Sequence, residues 1–227
     1  MRRIGTTALV ACAISSLIGA GAGEEERRLT FDVYLSERPI GTHEFALRET
    51  PAGLRMETRA SLELEVLRMR AFAYAHHNVE HWRAGCLESI ESRTDSNGQQ
   101  FRVSGSRRDD AFVVAGSAGE QTIAECVGTF SYWDKAQLLA RASLLNSQTG
   151  EYLPVRTTHL GTETLALHGH EIAVERYAIR GEGLRIELAY ARDDGEWIAL
   201  DSKLAGGLTL RYRRSAAELG KRPKPRG

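Results

Sequence analysis

Alternation of apolar and polar residues with a period of two recurs along this 227-residue chain and limits its fold more than any other feature. Leu29, Phe31, Val33 and Leu35 alternate with Thr30, Asp32 and Tyr34; after a turn at 38–41, Phe45 and Leu47 share one face while Glu44 and Arg48 take the other. The pattern returns at Leu62, Leu64 and Val66, at Leu184, Ile186, Leu188 and Tyr190, and at Leu208, Leu210 and Tyr212. Successive side chains on a strand point to opposite faces, so each run is a strand with one wet face, the antiparallel signature. Turn signals punctuate the runs: Pro51-Ala52-Gly53, Arg83-Ala84-Gly85, Asn97-Gly98, Gly181-Glu182-Gly183, Asp193-Asp194-Gly195 and Gly206-Gly207. Hairpins follow, and the expected fold is all-β with about 11 strands.

One stretch interrupts the rhythm. Between Trp133 and Leu145, the residues Leu138, Leu139, Ala142 and Leu145 fall at i, i+1, i+4 and i+7, with Ser131 or Asp134 available as N-cap. This spacing predicts an amphipathic helix of about three turns, whose apolar stripe needs the sheet as a partner.

The ends carry different information. A basic start (Arg2, Arg3), an uncharged run from Ile4 to Gly19 and the small residues Ala20 to Gly23 form a secretory signal pattern, with a cut expected after Ala22. The run is too short and too rich in Gly, Ser and Thr for a membrane span, which needs about 20 apolar residues. Leu9-Val10-Ala11-Cys12 offers a rival processing site of lipoprotein form, which would anchor the protein through Cys12. The mature body, 23–215, is therefore expected as one β domain in the periplasm or outside the cell, followed by a disordered basic tail at 216–227. Six of the 30 basic residues lie at the ends (Arg2, Arg3, Lys221, Arg222, Lys224, Arg226) and all 30 acidic residues lie between, so the body carries six more acidic than basic residues. Such a body does not attract nucleic-acid phosphates. The tail allows at most a weak contact with an anionic membrane surface. Once the leader is removed, Cys86 and Cys126 remain, an even pair that in an oxidising compartment reads as a disulfide, with two separate buried thiols as the alternative.

The strand from Ala71 to Trp82 holds the most chemistry. Its even positions are Phe72, Tyr74, His76, Asn78, Glu80 and Trp82, a mixture of aromatic and hydrogen-bonding groups that suits the lining of a ligand cavity, or equally a half-covered sheet face. His77 and His81 share the other face but sit roughly 13 Å apart on a strand, so they cannot chelate one ion. A metal site would have to draw on His43 or His159, and no zinc-type spacing is present. G-x-S-x-G, S-x-x-K and H-E-x-x-H are absent from the mature sequence, and no cofactor motif occurs.

Six stretches taken in order resemble the DUF6134 family of bacterial exported proteins: Phe31–Gly41 (FDVYLSERPIG), Tyr74–Leu87 (YAHHNVEHWRAGCL), Glu91–Gly98 (ESRTDSNG), Cys126–Trp133 (CVGTFSYW), Leu144–Val155 (LLNSQTGEYLPV) and Trp197–Ser202 (WIALDS). The family is itself similar to the DUF3108 group of periplasmic proteins. That resemblance implies a strongly curved antiparallel sheet, a half-barrel or barrel, over which the predicted short helix would lie, and it supplies no activity. The leading functional expectation is non-catalytic binding of a lipid-like envelope molecule, with Phe72, Tyr74, Trp82, Tyr132 and Trp133 as apolar wall and His76, Asn78 and Asn146 orienting the polar end. The alternatives are a hydrolase of envelope glycan or lipid using Asp134, Glu80 or Glu151, and a structural or interaction protein of the envelope.

Overall fold

The computed structural model describes residues 26–66 and 69–220; the expected leader at 1–22, with Cys12, and the tail residues 221–227 lie outside the described residues. Eight strands come first: β1 (Glu26–Leu35), β2 (Arg38–Thr50), β3 (Gly53–Val66), β4 (Met69–Arg83), β5 (Cys86–Ser96), β6 (Gln99–Arg108), β7 (Ala111–Gly116) and β8 (Gly119–Ile123). A connection follows, carrying helix α1 (Lys135–Leu139) and the short strands β9 (Ser143–Leu145) and β10 (Tyr152–Pro154). Five strands complete the sheet: β11 (Arg156–Leu167), β12 (His170–Gly181), β13 (Leu184–Ala191), β14 (Trp197–Lys203) and β15 (Thr209–Arg214), with the turn α2 (Ala216–Leu219) behind them. The predicted turns hold locally: Asn97 and Gly98, joining β5 to β6, both take positive φ, which Asn and Gly tolerate best.

Among the described residues, thirteen strands form one antiparallel sheet in the order β11-β12-β13-β14-β15-β1-β2-β3-β4-β5-β6-β7-β8, while β9 and β10 pair separately. β8 and β11 are neighbours along the chain within this sheet, yet they stand at its opposite edges. The 124–155 connection therefore has to span the sheet, and it does so on one face. Val127, Leu138, Leu144 and Leu145 from the connection join Phe31, Phe45, Met56, Leu87, Ile90, Phe112, Tyr190 and Trp197 from the strands in one buried cluster. Burying such side chains contributes roughly 1.5–3 kcal/mol each, so the connection is part of the core. At the β7 end it comes within backbone contact, because Ser117 N–H donates to Thr149 O at 2.8 Å. A Cβ on Gly116 would lie 2.3 Å from Thr149 O and 2.8 Å from Gly150 Cα. Gly116→Ala is accordingly expected to lower stability by about 1–3 kcal/mol in chemical denaturation, the usual range for overpacking against unyielding atoms.

Three expectations are corrected. The sheet neither closes nor curls strongly, so the barrel or half-barrel is replaced by an open sheet with edges at β8 and β11, whose shared connection occupies the face between them. The helix foreseen from Trp133 to Leu145 is limited to Lys135–Leu139, capped by Asp134 Oδ1 accepting from Ala136 N–H and Gln137 N–H. Beyond it Leu144 and Leu145 pair in β9 with Leu153 and Tyr152 in β10, and a bridge joins Leu145 to Thr129, so backbone pairing within the connection wins over helical periodicity. Finally, the first residues of the expected disordered tail form α2, where Leu219 is buried with Val174, Ala189, Ala191 and Ile198. That second cluster lies on the face opposite the connection and leaves β13 and β14 covered on both sides.

Candidate functional site

The alternation read in β4 is the geometry found. His76, Asn78, Glu80 and Trp82 are buried, while Ala75, His77 and His81 are exposed. The pairing register places these residues in rows across the covered face. Met56, Glu80 and Ile90 form one row; Thr58, Asn78 and Ser92 the next; then Ala60, His76 and Thr94; then Leu62 and Tyr74; then Leu64 and Phe72. His43 faces Ala60 from β2.

Glu80 is fully buried. Its Oε1 accepts from Asn78 Nδ2 at 2.8 Å and its Oε2 from Trp82 Nε1 at 2.9 Å. Ser131 Oγ donates from the connection at 3.1 Å and Thr129 Oγ1 at 3.3 Å, so the carboxyl joins sheet to connection. Burial pushes its pKa up to about 7, although four donors pull the other way. Beside it, Trp82 meets Trp133 edge to face at 5.7 Å. The space left among Trp82, Thr129, Ser131, Trp133 and Leu138 is about 10 Å³, room for one water. The connection here holds Tyr132 at φ 57°, a left-handed conformation uncommon for an aromatic residue, with its carbonyl accepting from Tyr190 Oη at 2.9 Å.

Above Glu80 lies a polar layer. His76 Nδ1 is 2.8 Å from Thr94 Oγ1, and His43 Nδ1 is 3.3 Å from Tyr212 Oη. Thr58 Oγ1, Asn78 Oδ1, Ser92 Oγ and His43 Nε2 are buried and find no partner among the described residues. A buried polar atom left unpaired costs roughly 1–3 kcal/mol, and here three lie in one row (Thr58, Asn78, Ser92) with His43 beside the next. Burial holds His43 down at about 3, with His76 adding to the effect, and His76 down at about 4. Both rings stay neutral in the fold while the unfolded chain takes up protons below about pH 6.5. Their contribution to stability is thus present above that value and lost as pH falls toward 4 for His76 and 3 for His43. In an NMR titration neither ring should protonate between pH 7 and about pH 5, as two such lowered values require.

A second apolar surface borders the polar layer on the far side from Glu80. Val33, Ile40 and Leu62 are buried, and Leu35, Leu64, Phe72, Tyr74, Leu210 and Tyr212 pack around them half-covered. Tyr74 Oη donates to Gln148 Oε1 at 3.2 Å, where the connection ends its cover.

The eight residues expected to bind a ligand thus divide. Phe72, Tyr74, His76 and Asn78 belong to the polar layer and its apolar border; Trp82, Tyr132 and Trp133 pack in the main core; Asn146 Oδ1 accepts from Gln148 N–H and shapes a turn of the connection. The three acidic candidates do not share a cleft: Glu80 is enclosed, Asp134 caps α1, and Glu151 accepts from Thr149 Oγ1 at the surface. Sequence reasoning missed Thr129, Ser131 and Tyr212 as partners, and it weighed His43 only as a metal ligand. The signal for His43 was available, since it alternates in phase with Phe45 and Leu47.

The sequence profile of DUF6134, a domain of unknown function, matches residues 31–215. The chain belongs to the DUF6134 family. No curated protein is similar to it in sequence. In fold, this DUF6134 domain is similar to the crystal structure of a beta-barrel-like protein of the domain of unknown function DUF1849 from Brucella abortus. The TM-score is 0.57 at 11% identity, over 85% of this chain and 96% of that one. At that identity the likeness concerns architecture alone, so the DUF6134 polar layer has to be interpreted from its own chemistry.

Proposed function

We propose that this protein is exported and binds an amphipathic, lipid-like envelope molecule without transforming it, in the space where the polar layer meets the half-covered apolar surface. The observation that carries this reading is the adjacency of four buried, unpartnered polar atoms to apolar side chains that the connection leaves partly open. A ligand's chain would lie on Leu35, Leu64, Phe72 and Leu210, and its polar end would reach His43, Asn78 and Ser92. A neutral or hydrogen-bonding head group suits this floor, because both histidines are held neutral by burial. Export is supported by the leader pattern and by the disulfide between Cys86 and Cys126. The test is retention of a fluorescently labelled monoacylglycerol, whose head group is neutral and hydrogen-bonding, by the mature protein. Phe72→Glu, which places a charge on the apolar surface, is expected to weaken binding at least about tenfold, the cost of roughly 1.4 kcal/mol; unchanged affinity would contradict the site.

A second reading, assembly with a second copy of the chain through an open sheet edge, is favoured by β11. Its outer edge makes no backbone hydrogen bond among the described residues, and Leu160, at the β-bulge, is 49% exposed. It predicts self-association, lost in Leu160→Lys, that depends on concentration and not on lipid.

A further inference from the structure

We infer that the Cys86–Cys126 disulfide is a polarised thiol-exchange site, in which Cys86 takes an incoming thiol and Cys126 leaves as a thiolate held by Arg141. The bond joins the first residue of β5 to the segment that follows β8, so it fastens the start of the connection to the sheet. Both cysteines are half-buried. Their two sulfurs have different surroundings. Arg141 Nη2 lies 2.7 Å from Cys126 Sγ. The same nitrogen also reaches Gly85 O at 2.8 Å and Gln137 Oε1 at 2.9 Å, so its two hydrogens are shared among three acceptors that hold the guanidinium in place. Gln137 sits on α1 and Gly85 in the β4–β5 turn, so two separate parts of the fold aim this cation. Each sulfur also lies near a carbonyl oxygen, Cys126 Sγ 3.6 Å from Gly85 O and Cys86 Sγ 4.0 Å from Ala84 O, so the guanidinium is what sets them apart. The acidic neighbour Glu125 has its carboxylate engaged with Tyr152.

A cation beside one sulfur lowers the pKa of that thiol, and the thiol of lower pKa is the better leaving group in exchange. The step balances without a net proton. An external thiolate attacks Cys86 Sγ, a new S–S bond forms there, the old one breaks, and its electron pair goes to Cys126 Sγ beside Arg141. If the incoming group belongs to a dithiol, its second thiolate then displaces Cys86, and the dithiol is oxidised as the protein's disulfide is reduced by two electrons. The partner class is accordingly a dithiol reductant of an oxidising compartment. The consequence is local, because the connection loses its covalent tie while the Glu80 cluster still holds it.

The experiment uses the oxidised, mature chain and glutathione as the incoming thiol, with acid quenching, alkylation of free thiols and peptide mass mapping. The expected product carries glutathione on Cys86 and the alkyl label on Cys126, in excess of about tenfold over the reverse. Arg141→Met should bring the ratio close to one, and Arg141→Lys should keep it. Glutathione mainly on Cys126, a ratio that Arg141→Met leaves unchanged, or no adduct from folded protein would each overturn the proposal. If Arg141→Met does not fold, thiolate absorbance of the single variants decides: Cys126 in Cys86→Ser must ionise at lower pH than Cys86 in Cys126→Ser, and equal or reversed values refute it.

Discussion

Replacing Glu80 by Ala is expected to lower the unfolding free energy by about 3–5 kcal/mol at pH 6, among the largest effects of any single substitution here. The carboxyl is the acceptor for Asn78 Nδ2, Trp82 Nε1, Thr129 Oγ1 and Ser131 Oγ, all buried. Truncation leaves the indole and amide N–H groups without an acceptor and opens a void between the sheet and the connection. Glu80→Gln keeps the volume and loses the titration, and it isolates the pH dependence. The folded pKa of about 7 lies above the ordinary value of 4.5. Between those values the folded protein holds a proton that the unfolded chain has released. The stabilisation is therefore complete below about pH 4.5 and is lost as pH rises through 7. In urea denaturation the stability of wild type minus that of Glu80→Gln should fall by about 3 kcal/mol from pH 4.5 to pH 8. A difference that stays flat would mean that Glu80 is ionised throughout. The comparison with the variant matters because His43 and His76 act in the opposite direction, weakening the fold as pH drops below 6.5.

Loss of the disulfide is the second large effect. Cys86 and Cys126 are 40 residues apart in sequence, and removing that closure with Ser at both positions is expected to cost about 4 kcal/mol by the chain-entropy argument. The change should be uneven. Amides near the start of the connection should exchange faster, since Val127 O, which accepts from Leu87 N–H at 3.0 Å, lies beside the lost tie. Amides of β13 and β14, covered on both faces, should still exchange only through global unfolding and lose no more than the fall of about 4 kcal/mol in overall stability, while those near the tie lose more. Hydrogen exchange followed by mass spectrometry reads both regions at once, and uniform loosening would contradict an anchor of local reach.

Much of this architecture was legible because strand periodicity is a local property. The faces of β1, β2 and β4, the Asn97-Gly98 turn and the pairing of Cys86 with Cys126 all follow from neighbours in sequence or from an even count. Sheet order is not local. Alternation assigns Phe31 and Tyr212 to faces, yet nothing in either segment announces that β15 pairs with β1 and so sends β8 and β11 to opposite edges. The connection was misjudged for the same reason. Leu138, Leu139, Ala142 and Leu145 fit a helix, but Leu145 N–H is taken by Gly128 O and Val155 N–H by Ala142 O, bonds formed only once the segment lies on the sheet. Glu80 was visible as an inward carboxylate; Thr129 and Ser131, its partners from the connection, lie 49 and 51 residues away, beyond any spacing rule. Three of the eight proposed ligand residues fell in the main core, because Tyr132 and Trp133 fill the face beside Trp82, and a fourth, Asn146, is spent on its own turn.

The central claim is that the polar layer and its apolar border hold an amphipathic molecule. Mass spectrometry of organic extracts from the protein purified from the cells that make it, with Phe72→Glu prepared in parallel, tests it most directly. A lipid-like species in stoichiometric amount with wild type and depleted in the variant is the predicted result, whereas a clean extract from folded wild-type protein would contradict the account.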